Sequence, residues 1–488
     1  MRVSGISACM ENNESTTEAS GWGLPPLKEI ERLGDRLVTF YSRFRSFLRT
    51  KTRDTSAYGL AYLSGLLRME GNRNMAEISR QAAISPQNVQ HFISNSPWSR
   101  SALIQAVQQE ISRQPEFQAG AVLVLDESAE QKSGGHSAGA ARQHNGRLGK
   151  VEMSQVGVFL SLVTSQVNSW IDGELYLHAK WFTPEYADRR KQVELPETRT
   201  FQTKPQQGWD MIQRAVANGV PFVAVAMDDL YGRSSDLRWQ LDQAGIEYYG
   251  DVPSNTVVYL DKPEIVPILT KQGKPSKRVR REAKQRFEVR HLLSHAGLER
   301  AVITLRPNER GLLRAEFARC RVWTVYKNTP RQEWLLIRRD GNRVTYVLSN
   351  APTDTSLEQM AWRKSHRYFI ERSNQDAKSE LGWDEFQAIK YQAWEHQLAL
   401  TILASWFVTE TRLDWMRRFT QDPALLAKYE VEVLPLLSVS NVRELLRAAM
   451  PLPQLSPQGA TDLVIKHLSN RTRSRKSRLR TRLKSPEI

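Results

Sequence analysis

The sequence predicts a mixed α/β protein of several domains, and two patterns support this prediction. Between residues 118 and 253, short apolar runs typical of buried strands alternate with amphipathic segments in the order three strands, helix, strand, helix, strand. Residues 26–117 and 351–410 instead repeat apolar side chains at steps of three and four, which indicates helices packed against a core. The 488 residues are enough for about three domains.

The N-terminal part is expected to be helical after a polar tail. Residues 1–25 are rich in Ser, Thr, Glu and Asn, a composition typical of disordered segments. Helices are predicted over residues 27–48, 58–69, 75–84 and 85–98. The last two meet at Ser85-Pro86, where a serine cap followed by a first-turn proline starts a helix. This pair is similar to a DNA-reading helix-turn-helix, but ordinary helical bundles contain the same pair, so both interpretations stay open for residues 26–117.

Two aspartates stand where strands of the predicted sheet end. Strands are predicted over residues 121–126, 156–163, 173–182, 221–229 and 246–253, and helices over 208–219 and 234–245. Asp126 closes the first strand and Asp228 the fourth, so both carboxylates are expected at one crevice beyond the sheet. Two carboxylates at such a short distance repel each other unless a divalent cation lies between them. Their hard oxygen ligands suit Mg²⁺ or Mn²⁺. The alternative is that each aspartate merely ends its strand.

A third acid is expected from the helices that follow an insertion. Residues 254–350 contain β-type runs after a basic segment, and helical spacing then returns. A predicted helix over residues 366–382 carries three acids, Glu371, Asp376 and Glu380. Steps of four and seven put Arg367, Glu371 and Lys378 on one stripe beside an apolar stripe, and Glu380 lies about half a turn away. Glu371 is therefore the better candidate.

With these residues in place, the chain resembles the DDE transposases of bacterial insertion sequences, in the group with the Y-R-E-K signature. Asp126 in LVLDES matches the first acid, Asp228 in AMDDLYG the second, and Glu371 the third. Arg367 and Lys378 fall at the signature spacing R-x3-E-x6-K, whereas the signature tyrosine falls at position 364, which is lysine. The resemblance covers roughly residues 30–410. It implies a ribonuclease H-like mixed-sheet core (118–253 and 351–410), a β-rich insertion (254–350) and a helical N-terminal domain.

The resemblance also implies a metal site and roles for its neighbours. Asp126, Asp228 and Glu371 would bind two Mg²⁺ ions, one activating water or a DNA 3′-hydroxyl and the other stabilising the leaving oxygen. Arg367 and Lys378 would orient the DNA backbone, although a solvated helix face paired with Glu371 is the alternative. Strand alternation is expected to turn two further acids, Glu127 and Asp229, away from the site. Asp229 remains an alternative to Asp228.

Basic and aromatic residues predict DNA contacts. The chain carries a formal charge of +16, which favours a polyanionic partner. Residues 271–286 hold eight basic residues and one acid, and four of them are predicted DNA contacts: Lys277, Arg278, Arg280 and Arg281. A solvated loop is the alternative. The resemblance implies that Trp323 stacks on a flipped base, although a core aromatic is the more common role. A helical region (411–465) and a basic tail (466–488) complete the chain, and the tail invites the same DNA-binding argument.

The predicted function is that of a transposase. It would recognise terminal inverted repeats in double-stranded DNA, cleave there with a divalent metal, and transfer the strands into target DNA as a homodimer. Two alternatives are a DNA-binding repressor without catalysis and a metal-dependent nuclease without strand transfer. The two cysteines exclude a disulfide scaffold, and the longest apolar run, Leu398–Val408, is too short to span a bilayer. We expect no secretory signal and no membrane contact, and hence a cytoplasmic, nucleoid-associated protein.

Overall fold

A computed structural model describes residues 31–146, 149–269, 272, 275–308, 311–453 and 456–484. The predicted tail at residues 1–25 lies outside this part of the chain. Within it, the protein has a twelve-stranded sheet, a separate two-stranded sheet and sixteen α-helices. This architecture confirms the predicted mixed α/β class with a helical N-terminal region.

The strands build one large mixed sheet and one hairpin. They are β1 (Val122–Gln131), β2 (Ala141–Asn145), β3 (Lys150–Val163), β4 (Asn168–Tyr176), β5 (Ala224–Met227), β6 (Tyr248–Val252), β7 (Val257–Tyr259), β8 (Glu264–Leu269), β9 (Pro275–Glu282), β10 (Arg286–Glu288), β11 (Glu299–Asn308), β12 (Gly311–Tyr326), β13 (Thr329–Asp340) and β14 (Arg343–Ser349). The core order is β4-β3-β1-β5-β6, in which β1, β5 and β6 are parallel and β3 is antiparallel to both of its neighbours. This order agrees with the ribonuclease H-like core that the resemblance implies.

One predicted strand has different bounds in the structure, and one strand was not predicted. The strand predicted over residues 173–182 ends at Tyr176, and Ala179–Phe182 forms a 3₁₀ turn that buries Trp181 in the core. The sequence prediction also missed β2, because ARQHN alternates polar residues that do not look like a buried strand. It pairs with the first part of β3, so β3 is longer than predicted.

The insertion continues the core sheet. Its last strand, β14, pairs antiparallel with β6, and β13 and β12 follow in turn. Strands β8 and β9 form the separate hairpin, and β9 contains the middle of the basic segment. The parallel part of the core sheet is therefore joined to the insertion by the backbone hydrogen bonds between β6 and β14.

Helices precede and follow the large sheet in the described part of the chain. They are α1 (Leu33–Phe44), α2 (Ser56–Arg68), α3 (Met75–Gln81), α4 (Pro86–Ser94), α5 (Arg100–Ile111), α6 (Pro115–Gln118), α7 (Ala187–Gln192), α8 (Lys204–Ala217), α9 (Asp229–Gly232), α10 (Ser235–Gln243), α11 (Leu357–Ser365), α12 (Tyr368–Ser379), α13 (Tyr391–Phe419), α14 (Pro423–Tyr429), α15 (Val439–Ala449) and α16 (Pro457–Lys484). The pair α3–α4 occupies the predicted helix-turn-helix position. Ser85 precedes α4, but its hydroxyl bonds to the Gln87 side chain and caps no backbone N–H.

One apolar core joins the N-terminal helices to the sheet. It runs from Leu37 on α1 through Leu123 on β1 to Leu446 on α15, and all three side chains are fully buried. Helix α13 lies at its centre and packs on α2, α4, α5 and β4. Within the described residues, none of the helices has the combination of length and apolarity that a membrane crossing requires.

Candidate active site

The sheet register places three aspartates in one row. Leu125 on β1 pairs with Met227 on β5, and Met227 pairs with Gly250 on β6. Because the three strands are parallel, the next residues, Asp126, Asp228 and Asp251, stand side by side at the same level of the sheet.

Asp126 does not end its strand, contrary to the prediction. Strand β1 continues to Gln131, because its antiparallel pairing with β3 extends to that residue. The parallel pairing with β5, however, stops at Leu125. Asp126 therefore stands where β5 leaves β1, which has the same consequence as a strand end on that side.

Asp228 is fixed by the helix that follows it. It directly follows β5, and its Oδ1 accepts hydrogen bonds from the backbone N–H groups of Leu230 (3.0 Å) and Tyr231 (3.3 Å). The short helix α9 then packs directly on β6, where a Cβ added at Gly232 would lie 2.0 Å from the carbonyl oxygen of Asp251. Only glycine permits this contact, so the motif DDLYG holds Asp228 against the sheet.

An acidic group forms around the first two aspartates. Carboxylate oxygens of Asp126, Glu127 and Asp228 lie within 4.8 Å of one another, the one such cluster of metal-ligating side chains in the described part of the chain. The expectation that Glu127 faces away was wrong. Its side chain is one methylene longer than that of aspartate, and Lys204 at the start of α8 binds its Oε1 at 2.9 Å. Asp229 instead is half exposed, pairs with Arg233 and stays outside the group.

Burial and like charges shift the titration of this group. Burial, together with Asp228 and Glu127, raises the pKa of Asp126 to about 8. Burial and Glu127 raise the pKa of Asp228 to about 6. Three hard-oxygen donors that repel each other are a suitable ligand set for Mg²⁺ or Mn²⁺, because the cation removes the repulsion.

Arg367 lies between this group and Glu371. It stands at the junction of α11 and α12 with 21% of its side chain exposed, and its Nε is 3.3 Å from Asp251 Oδ2. Its Nη2 is 3.6 Å from Glu371 Oε1. The negative charges of Asp251, Asp126 and Asp228 oppose the effect of burial and raise the pKa of Arg367.

Glu371 itself is not part of the acidic group. Its side chain is 60% exposed, and Arg367 is its ion-pair partner. The orientation of α12 nevertheless agrees with the sequence analysis, since its apolar stripe is buried: Ile370, Ala377 and Leu381. Glu380 points elsewhere and pairs with Arg443 on α15.

The remaining predicted DNA contacts occupy three places. Lys378 reaches β1, where its Nζ is 2.6 Å from Glu130 Oε1. Arg280 and Arg281 are exposed on β9, whereas the side chains of Lys277 and Arg278 lie outside the described residues. Trp323 on β12 is half-buried, and the ammonium group of Lys262 lies 5.6 Å from its ring centroid.

Sequence reasoning missed a second charged pair beside the site. Lys364 is 6% exposed, and its ammonium group pairs with Asp251. A signal was present, because YYGDVP contains an aspartate near the end of a third predicted parallel strand. The pair borders a cavity of about 450 Å³ between the α11–α12 junction and the insertion. Four of its lining side chains are basic: Arg338, Arg343, Lys364 and Arg367.

Comparison with known proteins identifies the family. The model of the DDE superfamily endonucleases matches residues 40–302, more than half of the chain, and the model of the transposase DDE domain matches residues 204–407. A probable transposase for insertion sequence element IS701 from Microchaete diplosiphon is 24% identical over 326 residues, which cover 65% of this chain and 73% of that protein. Together with the acidic group at the carboxyl end of the β1–β5 pairing, these matches show that the chain belongs to the DDE superfamily of endonucleases and is a transposase of the insertion-sequence kind.

Proposed function

We propose that this transposase cuts DNA at the ends of its element and joins those ends to target DNA, with Asp126, Asp228 and Glu371 as its catalytic acids. The observation that carries the proposal is the convergence of Asp126 and Asp228, together with Glu127, within 4.8 Å at the edge of the sheet. Glu371 is the third candidate because it pairs with Arg367, which the charges of Asp126 and Asp228 also attract.

A divalent cation fits this donor set, and Mg²⁺, with Mn²⁺ as a substitute, is the cofactor that we propose. Asp126 and Asp228 would hold it, and bound DNA would favour the approach of Glu371. When bound, such a cation lowers the pKa of a coordinated water or hydroxyl and neutralises the charge that develops on the phosphodiester. The repulsion among the acids that helps to raise the pKa values of Asp126 and Asp228 is what a bound cation would relieve.

The protein's own side chains then position the DNA. Arg367 lies beside the acids with a planar guanidinium that matches a phosphate. The cavity beyond it is lined by four basic and three acidic side chains, and its guanidinium groups are proposed to receive the backbone next to the cut. Lys378 lies over β1 and is proposed as a second backbone contact. Phosphate contacts of this kind fix the register of the DNA and carry no sequence information.

Two exposed basic elements are proposed to bind DNA away from the cut. One is the β8–β9 hairpin with Arg280 and Arg281. The other is α16, which includes residues 466–484 of the predicted basic tail, and its described basic side chains are all exposed: Arg471, Arg473, Arg475, Lys476 and Arg480. Like charges four residues apart weaken an isolated helix, so a polyanion would stabilise α16. Pairing two element ends further requires two copies, and we propose a homodimer on DNA.

The salt dependence of DNA binding tests the hairpin. Replacing Arg280 and Arg281 by glutamine should lower the slope of log K against log salt by about 1.8, since each lost phosphate contact is worth about 0.9. The matched variant with two lysines keeps the charge and should keep the slope. An unchanged slope in the glutamine variant would show that these arginines make no phosphate contact and only face the solvent.

Cleavage of DNA that carries the element's own ends tests the function. Wild type is compared with Asp126→Ala and Glu371→Ala, in Mg²⁺ and in EDTA. Metal-dependent nicking that both variants lose while still binding DNA is expected, followed by joining of the ends to a second DNA. Cutting without joining would leave a nuclease, and tight binding without cutting in any metal would leave a repressor.

A further inference from the structure

Asp251 belongs to the row of three aspartates but not to the acidic group. Its neighbours in the row, Asp126 and Asp228, meet each other and Glu127. Asp251 instead has a cation on each oxygen: the Lys364 ammonium group on Oδ1, and Arg367 Nε at 3.3 Å from Oδ2. Its charge is therefore balanced without a metal.

We propose that Asp251 is a positioning residue that holds Arg367 beside the acidic group, and that Lys364 holds Asp251 in place. This inference rests on the proposed function, because the task assigned to Arg367 is to orient the DNA backbone at the site of cleavage. Neither Asp251 nor Lys364 touches the reacting atoms, and both act through Arg367.

Two carboxylate sites compete for one guanidinium. The charges of Asp126 and Asp228 attract Arg367, and without a tether it would fold onto them and occupy the position that a metal ion needs. Asp251 supplies that tether from a rigid place, since β6 is paired with β5 on one side and with β14 on the other. With Nε held by Asp251, the Nη groups remain directed toward Glu371 and toward an entering phosphate.

Lys364 has a separate task. An entering phosphate shares the charge of Arg367 with Asp251, and a buried carboxylate with only a shared cation would be disfavoured. Lys364 is the permanent partner that prevents this. It lies in the last turn of α11, three residues before Arg367 and at the same junction. The junction thus carries two cations for one aspartate.

The test uses the full-length protein and variants that avoid a lone buried charge. Asp251→Asn alone would leave Lys364 buried and unpaired, so it is combined with Lys364→Met. The matched control is a second ion pair between α11 and the segment preceding β6, Arg363 with Glu247 at 2.6 Å, removed as Arg363→Met with Glu247→Gln. Among the described residues, neither Arg363 nor Glu247 forms an ion pair with Arg367 or belongs to the acidic group.

Single-turnover cleavage and DNA affinity are measured separately. The Asp251→Asn/Lys364→Met variant should bind end DNA within about threefold of wild type but cut it about 10²-fold more slowly, the cost of a misplaced positioning group. Arg367→Gln should be slow to a similar degree. Adding Asp251→Asn/Lys364→Met to Arg367→Gln should then cause no further loss, because the two changes remove the same interaction. The control pair should cut at close to the wild-type rate.

Three results would overturn the inference while leaving the proposed function standing. Wild-type cleavage by Asp251→Asn/Lys364→Met would make Asp251 a mere partner of Lys364. Losses that multiply in the Arg367→Gln background would show that Asp251 acts independently of Arg367. An equal loss in the control pair would reveal a general need for α11–β6 ion pairs. A wild type that binds the ends without cutting them overturns the proposed function first, and this inference with it.

Discussion

The acids that the sheet carries and the acid that the helix carries differ in how firmly the fold holds them. Asp126 and Asp228 are brought together by the register of β1 and β5, with no ligand needed. Glu371 stands on α12 with 60% of its side chain exposed, and Arg367 is its ion-pair partner among the described residues. In the proposed site, the sheet therefore preforms one half, and the helix would supply the other half on an exposed side chain that bound DNA can move.

The largest effect is expected from breaking the preformed half. Asp126→Asn or Asp228→Asn should slow end cleavage at least about 10³-fold, because a bound cation contributes several kcal/mol to the transition state. Affinity for Mn²⁺ in the absence of DNA, measured by calorimetry, should fall in both variants. Unchanged Mn²⁺ affinity in either variant would show that the acidic group is not the metal site.

Glu371→Gln sharpens the comparison, because it should separate cleavage from metal binding. We expect cleavage to fall almost as far as in Asp126→Asn, since Glu371 completes the site only with DNA bound. Mn²⁺ affinity without DNA should change by less than about threefold, as its carboxylate lies outside the close group.

The control for that experiment is Glu358→Gln on α11, an exposed acid outside the site. It should leave both cleavage and Mn²⁺ affinity unchanged. Should Glu371→Gln cut at the wild-type rate, the third acid would have to be sought in Glu127.

Glu127→Gln is expected to have a smaller and opposite signature. Glu127 lies in the acidic group but is already bound by Lys204 at 2.9 Å, so its charge is partly balanced. Mn²⁺ affinity without DNA should fall about tenfold, in the range expected when a supporting group is lost, whereas cleavage with saturating metal should stay within about tenfold of wild type. Loss of cleavage on the scale of Asp126→Asn would make Glu127 a principal ligand and displace Glu371.

The contrast between the acids on the sheet and the acid on the helix also explains how much of this site the sequence could predict. The position of Asp126 and Asp228 was predictable, because apolar runs fix strands and parallel strands bring their ends together. The inward turn of Glu127 was not, since it depends on Lys204 from a helix far along the chain. Asp251 was overlooked although its strand was predicted, because its function depends on Lys364 and Arg367, whose approach to β6 no local pattern reveals.

The smallest expected effect is a pH dependence of stability that only the preformed half shows. The pKa of Asp126 is about 8 in the folded protein, above its ordinary value of 3.8, so the folded state holds a proton that the unfolded chain releases. Its contribution to stability is complete below about pH 4 and is lost as the pH rises through 8, and Asp228 adds a smaller loss that is complete by about pH 6. In EDTA, the melting temperature of wild type should therefore fall between pH 5 and pH 9 by on the order of 2 °C more than that of Asp126→Asn.

Saturating Mg²⁺ should cancel this difference, because the cation favours the ionised carboxylates. Glu371→Gln should melt in parallel with wild type throughout; a divergence there would place Glu371 among the preformed acids and erase the distinction between the two halves.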